Sequence, residues 1–132
     1  MEKVDEFLEY IKVSILDKSI VDTSLILSDR DGFVLGKIID KSSSADNVID
    51  NSLISTFSSA TDQASKLHAG NNKSIVSFFE DRIIVHINVS NVILSIITDT
   101  ESNVGLILGS QDDLIRSLTS LSNSIQSDIQ DM

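Results

Sequence analysis

Two histidines, His68 and His86, are the whole imidazole supply of this 132-residue chain, and it has no cysteine. The missing thiols exclude a disulfide framework, a thiolate nucleophile and Cys-ligated zinc. The histidines are too far apart in sequence for the helical His-x-x-x-His metal pair. His86 lies inside an apolar stretch, where packing is the expected role. His68 falls near the end of a helical pattern, where it would complement the helix dipole. Neither Gly-x-x-x-x-Gly-Lys-Ser/Thr nor Gly-x-Gly-x-x-Gly occurs. Asp29 and Asp31 flank Arg30 ahead of Gly32, superficially the start of a calcium loop. Such a loop spreads its ligands over about twelve residues and ends in Glu, whereas Phe33-Val34-Leu35 follows at once. Asp112 and Asp113 near Arg116 fit a solvated helix face with one i,i+4 pair. No catalytic, cofactor-binding or metal-ligating residue is expected, and no enzyme.

The elements that would carry any site follow from periodicity. Val4, Phe7, Leu8, Ile11 and Ile15 recur at steps of three and four, which predicts an amphipathic helix from Glu2 to about Leu16. Ile20–Leu27 reads as a strand, Ser28–Gly32 as a turn closed by Asp-Gly, and Phe33–Ile39 as the return strand of a hairpin. Gly36 inside that strand signals a bulge or a close backbone approach. Lys41–Asp46 is a polar, Ser-rich segment, expected to be a flexible loop. A second helix spans about Asp50–His68, ended by Gly70 in a left-handed cap. Lys73–Phe79, Arg82–Asn88 and Asn91–Asp99, joined by hairpin-length connections, predict an antiparallel meander. Ile83-Ile84-Val85 and Val92-Ile93-Leu94 are apolar on both sides, so helices should cover both faces of the sheet. A last helix carries Ile107, Leu114, Leu118, Leu121 and Ile125 on one face, weakened early by Gly105 and Gly109. Residues 126–132 should fray. The expected architecture is α+β: one domain over residues 1–132, three-layer α/β/α, with a five-stranded antiparallel sheet and the order helix, two strands, helix, three strands, helix.

Composition bounds the rest. Ten basic against 20 acidic residues leave a net charge of −10, and the isoelectric point is near 4.3. A surface of that sign is wrong for nucleic-acid phosphates and for anionic lipid. No stretch approaches the roughly 18 uncharged apolar residues of a membrane span. The acidic start, Met1-Glu2-Lys3-Val4-Asp5-Glu6, is unlike a signal peptide, Glu2 excludes myristoylation, and no Cys is present to prenylate. A soluble cytosolic domain without direct membrane insertion is expected, with a real core from 41% apolar residues.

The second helix is the most informative segment. On a helical wheel, Leu53, Phe57, Ala60, Ala64 and Leu67 fall within about ±40°, a narrow seam expected to face the core. Beside it, at about 60–140°, lie Ile54, Ser58, Thr61, Ser65 and His68. Nearly all are small, so this flank suits either the close approach of a partner helix or a weakly polar solvent face. Ser74–Phe79 carries no charge and no proline; as an open sheet edge it would invite another chain.

Ser28-Asp29-Arg30-Asp31-Gly32, Ser55-Thr56-Phe57, Ala60-Thr61-Asp62-Gln63, Ser65-Lys66-Leu67, Asn72-Lys73-Ser74-Ile75 and Gly105-Leu106-Ile107 occur in the order, and nearly the spacing, of a known family. Over about Leu25–Leu114 the chain resembles the roadblock/LC7 family, and within it the MEK-partner scaffold subunits of the Ragulator complex. The run from Ser55 to Ile75 is the specific part. The chain departs from the subfamily in having no Pro between Asp17 and Asp22 and a Ser-rich last helix.

The resemblance implies a non-catalytic scaffold or adaptor that heterodimerises with a second roadblock-fold subunit. Ile54, Ser58, Thr61, Asp62, Ser65, Ile75, Ser77 and Phe79 would lie on or near that partner face, and a partner strand would cap Ser74–Phe79. It further implies a lipidated Ragulator anchor subunit that wraps the dimer and holds it on the cytoplasmic face of late endosomes and lysosomes. There the assembly would recruit Rag GTPases for amino-acid signalling to TOR complex 1 and scaffold the MEK–ERK kinases of the MAPK cascade. The alternative is a roadblock module of another assembly, a dynein light chain or a GTPase-regulating homodimer.

Overall fold

The computed structural model describes residues 2–12, 23–39, 51–89, 91–100 and 104–130. In chain order the elements are α1 (Glu2–Tyr10), β1 (Ser24–Asp29), β2 (Val34–Ile38), α2 (Asn51–Ser65), β3 (Ser74–Phe78), β4 (Ile83–Val89), β5 (Val92–Thr98), α3 (Val104–Gly109) and α4 (Gln111–Gln130). The expected loop at Lys41–Asp46, and the expected extensions through Ile15 and Ile20, lie outside the described residues.

One five-stranded sheet runs in the order β2-β1-β5-β4-β3, and every pairing is antiparallel. This is the expected α+β, three-layer arrangement. On one face Val4, Leu8 and Ile11 of the first helical segment, Ile107 of α3 and Leu114, Leu118 and Leu121 of α4 pack over Leu25, Leu27, Val85, Leu94 and Ile96. On the other, Ile54 and Phe57 of α2 cover Ile26, Ile84, Ile93 and Ile97. The unbroken apolar runs of β4 and β5 are thus buried on both sides, which is why they do not alternate.

The β1–β2 hairpin turns as its Asp-Gly signal predicts. Gly32 takes a φ of 96°, and Asp29 Oδ1 accepts the backbone N–H groups of Asp31 (3.0 Å) and Phe33 (2.9 Å), an Asx turn. Both expectations for Gly36 are realised. The register slips between Leu27 and Ser28, which pair with Gly36 and Val34 and leave Leu35 bulged. A Cβ on Gly36 would come within 2.4 Å of Val4 Cγ1, so α1 lies directly on the strand. The last helix is two helices: Ser110 N–H bonds the Ile107 carbonyl (3.1 Å), and the Ser110 carbonyl accepts the Leu114 N–H (2.9 Å), restarting the helix beyond Gly109. α4 then continues to Gln130, through residues expected to fray.

Candidate interaction face

Among the described residues α2 is the one helix packed on its face of the sheet, and its orientation differs from the wheel reading. The buried row is Ile54, Phe57, Ser58 and Thr61. Of the seam expected to form the core, only Phe57 does so among residues whose side chains are described: Ala60 is exposed, Ala64 half-buried, and Leu67 is 75% exposed. The flank expected to receive a partner backbone is instead occupied by the chain itself. Ser58, 8% exposed, donates to the Arg30 carbonyl at 2.7 Å. Thr61, 1% exposed, donates to Asn72 Oδ1 at 2.6 Å. The small hydroxyls admit the β1–β2 turn and the α2–β3 loop, Ser58 meeting a backbone carbonyl of the first and Thr61 a side-chain amide of the second, so burying them leaves neither donor unpaired.

The remaining expected residues scatter. Ser65 donates to the Thr61 carbonyl (2.9 Å) and accepts the Asn72 N–H (3.0 Å). Asp62 is exposed and pairs with Arg30 at 2.6 Å. Ile75 and Ser77 are half-buried, and Phe79 is exposed. Sequence reasoning missed Ala60 and Leu67 as outward residues because apolar character at helical spacing was taken as core, and it did not single out Thr56 or Phe78, the latter 71% exposed.

Among the described residues β3 is an open edge of the sheet. The Lys73 carbonyl accepts the Asn88 N–H, and the Phe79 N–H donates to the Arg82 carbonyl, both at 2.9 Å. Odd-numbered residues therefore turn their backbone groups toward β4. By the antiparallel alternation, Ser74, Val76 and Phe78 present theirs outward. Between this strand and α2 lies a cleft of about 120 Å³ lined by Thr56, Phe57, Ala60, Ile75, Ser77 and His86. His86 forms its floor, stacked on Phe57 with centroids 4.3 Å apart and Nδ1 2.9 Å from Ser95 Oγ. Burial lowers its pKa from 6.5 to about 4, so the ring is neutral at physiological pH and the cleft is uncharged. In the β3–β4 connection Asp81 and Arg82 pair with each other at 2.9 Å; that hydrogen bond lowers the Asp81 pKa and raises that of Arg82. Among the described residues no cluster of three or more His, Asp or Glu could hold a metal ion, and no helix is long and apolar enough to cross a membrane.

The groove between α2 and β3 is therefore lined by uncharged side chains and lies beside a strand at the sheet's edge. The family model described as "Mitogen-activated protein kinase kinase 1 interacting" matches residues 2–129. The chain belongs to this family. Within the kinase-kinase-interacting family it is 33% identical over 91 residues, 69% of this chain and 73% of the relative, to Ragulator complex protein LAMTOR3 of Xenopus tropicalis. Its fold is shared with MglB of Myxococcus xanthus (TM-score 0.66, 18% identity, 92% of this chain and 96% of that one). It is shared too with a roadblock/LC7 domain from Streptomyces avermitilis (TM-score 0.57, 14% identity, 77% and 87%). The chain is thus a roadblock-fold member of the kinase-kinase-interacting family and resembles a Ragulator scaffold and adaptor subunit.

Proposed function

We propose that this chain is a non-catalytic, single-domain scaffold subunit of a Ragulator-like complex. It heterodimerises with a second roadblock-fold subunit through the outer row of α2 and the free edge of β3. The observation that carries the reading is the pairing of an uncharged α2–β3 cleft with a hydrophobic strand that, among the described residues, has a neighbour on one side only. Such an edge invites strand addition, and Phe78, Phe79 and Leu67 stand exposed around it. The partner residues are then Ala60, Leu67, Ile75, Ser77 and Phe79, with Ile54, Ser58 and Thr61 supporting the face from beneath. Kinship with Ragulator subunits supports a place on the cytoplasmic face of late endosomes and lysosomes, held there by a lipidated anchor subunit. It likewise supports recruitment of Rag GTPases for TOR complex 1 signalling and scaffolding of MEK–ERK.

Purification of the full chain from its native cells tests the reading. A stoichiometric second roadblock-fold subunit is expected, lost from Ala60→Arg plus Leu67→Asp while the variant stays folded. A tight homodimer with no second subunit would favour a roadblock module of another assembly. Retention of the second subunit by the folded double variant would remove the interface assignment.

A further inference from the structure

We propose that the polar cleft where the β1–β2 turn, the β4–β5 hairpin, the α2–β3 loop and α4 converge is a binding site for an extended, acidic peptide segment of a partner protein. The cleft encloses about 550 Å³, within the range of roughly 300–1,000 Å³ that specific ligand sites occupy. It shares no lining residue with the small groove beneath α2, so the inference does not rest on the roadblock-partner reading. Asp62 and Ser65, expected on the partner face, line this cleft instead.

Its walls are held in place before any ligand arrives. The Arg30 guanidinium is a two-armed strut: Nη1 donates to Asn88 Oδ1 and Nη2 to Asp62 Oδ1, each at 2.6 Å. It ties the β1–β2 turn to the end of β4 and to α2. Asn88 Nδ2 continues the chain of bonds to the Asn72 carbonyl at 3.1 Å, and Asn72 is itself bonded to Thr61 and Ser65. Residues from motifs far apart in sequence thus close into one network around the opening, the kind of preorganisation that lowers the ordering cost of binding.

The lining chemistry selects the ligand. The Asn71 amide, the second lone pairs and amide protons that Asn72 and Asn88 keep beyond the network, and the Thr119 oxygen as an acceptor, its proton going to the Ile115 carbonyl at 2.8 Å, offer a peptide backbone both donors and acceptors. Val89 is buried and Ile115 half-buried, giving an apolar floor for an aliphatic side chain. Arg30 is paired with Asp62, so the exposed Lys73 supplies the excess positive charge of the lining. That local excess of positive charge stands on a chain whose net charge is −10, so an acidic segment is drawn here and repelled elsewhere. The lining residues include no aromatic ring and no glycine. A nucleotide base would have nothing to stack on, and a phosphate no nest of backbone N–H groups.

The test uses the full chain and a blocked octapeptide of alternating Glu and Leu, followed by amide NMR shifts and by fluorescence anisotropy of a labelled copy. Saturable shifts at Asn71, Asn72, Lys73, Asn88 and Thr119 are expected, with the Gln–Leu and Lys–Leu octapeptides weaker by roughly tenfold or more. Lys73→Glu removes a rim cation and Thr119→Trp fills the mouth. Both positions are exposed, both variants should keep the native spectrum elsewhere, and each should weaken binding by roughly tenfold. Three results would overturn the proposal: no saturation with folded protein, affinity unchanged in both variants, or the same shifts produced by inorganic phosphate alone. None of them bears on whether a second roadblock subunit co-purifies.

Discussion

At the scale of single residues, two side-chain environments make firm demands. Gly36 is required by proximity: its missing Cβ is the space into which Val4 Cγ1 packs. Gly36→Ala should push α1 off β2 and cost about 1–3 kcal/mol, read as a lower urea midpoint at unchanged slope. His86 is required to be neutral. The folded chain takes up its proton near pH 4, against 6.5 when exposed. Between those values the unfolded state binds more protons, so stability is full above about 6.5 and falls as the pH drops toward 4. The loss can reach about 3 kcal/mol. His86→Gln, which keeps a polar partner for Ser95, should flatten urea midpoints across that window, while the wild-type midpoint falls.

At the scale of elements, the two long rows of α2 exchange the roles that hydropathy alone assigns them. Ser58 and Thr61 are held under the chain's own turn and loop, while Leu67 stands in solvent. Ser58→Arg would force a charge beneath the β1–β2 turn and should destabilise by about 3 kcal/mol or more. Leu67→Asp should stay within about 0.5 kcal/mol of wild type yet weaken capture of a roadblock partner. Thermal melts of the two variants side by side check the assignment of rows. A substitution at Ser58 would therefore be a poor probe of the partner face, because loss of the partner would follow from loss of the fold.

At the scale of the whole molecule, charge is kept away from the α2–β3 cleft. The chain carries −10, whereas the residues lining that cleft are uncharged, with His86 neutral. Association through such a face is governed by apolar burial and strand pairing, not by charge. The dissociation constant of the proposed heterodimer should therefore shift little, less than about threefold, between about 0.1 and 1 M salt. Binding of an acidic segment in the Arg30–Lys73 cleft should weaken steeply over the same range. Isothermal titrations at the two salt levels separate the surfaces, and a steep salt dependence of the heterodimer would contradict its placement on the neutral face.

Apart from the break between α3 and α4, the amino-acid sequence by itself determined the order of the elements and the double coverage of the sheet. Periodicity of Val4, Leu8 and Ile11, the Asp-Gly turn and the two-sided apolar runs of β4 and β5 are local signals that later packing did not need to override. It also singled out α2 and β3, because both are short of charge. Only the tertiary structure decided which side of α2 faces outward. A hydroxyl row is an equally good inner face when backbone carbonyls and amides of neighbouring turns are there to meet it, and no wheel contains those neighbours. The same holds for the cleft around Arg30: Asp29-Arg30-Asp31-Gly32 reads as a hairpin turn and nothing more until Asp62, Asn72 and Asn88 are brought to it from separate elements. Sheet order is what brings them there, and pairing between strands distant in the chain depends on contacts that short-range pattern does not carry.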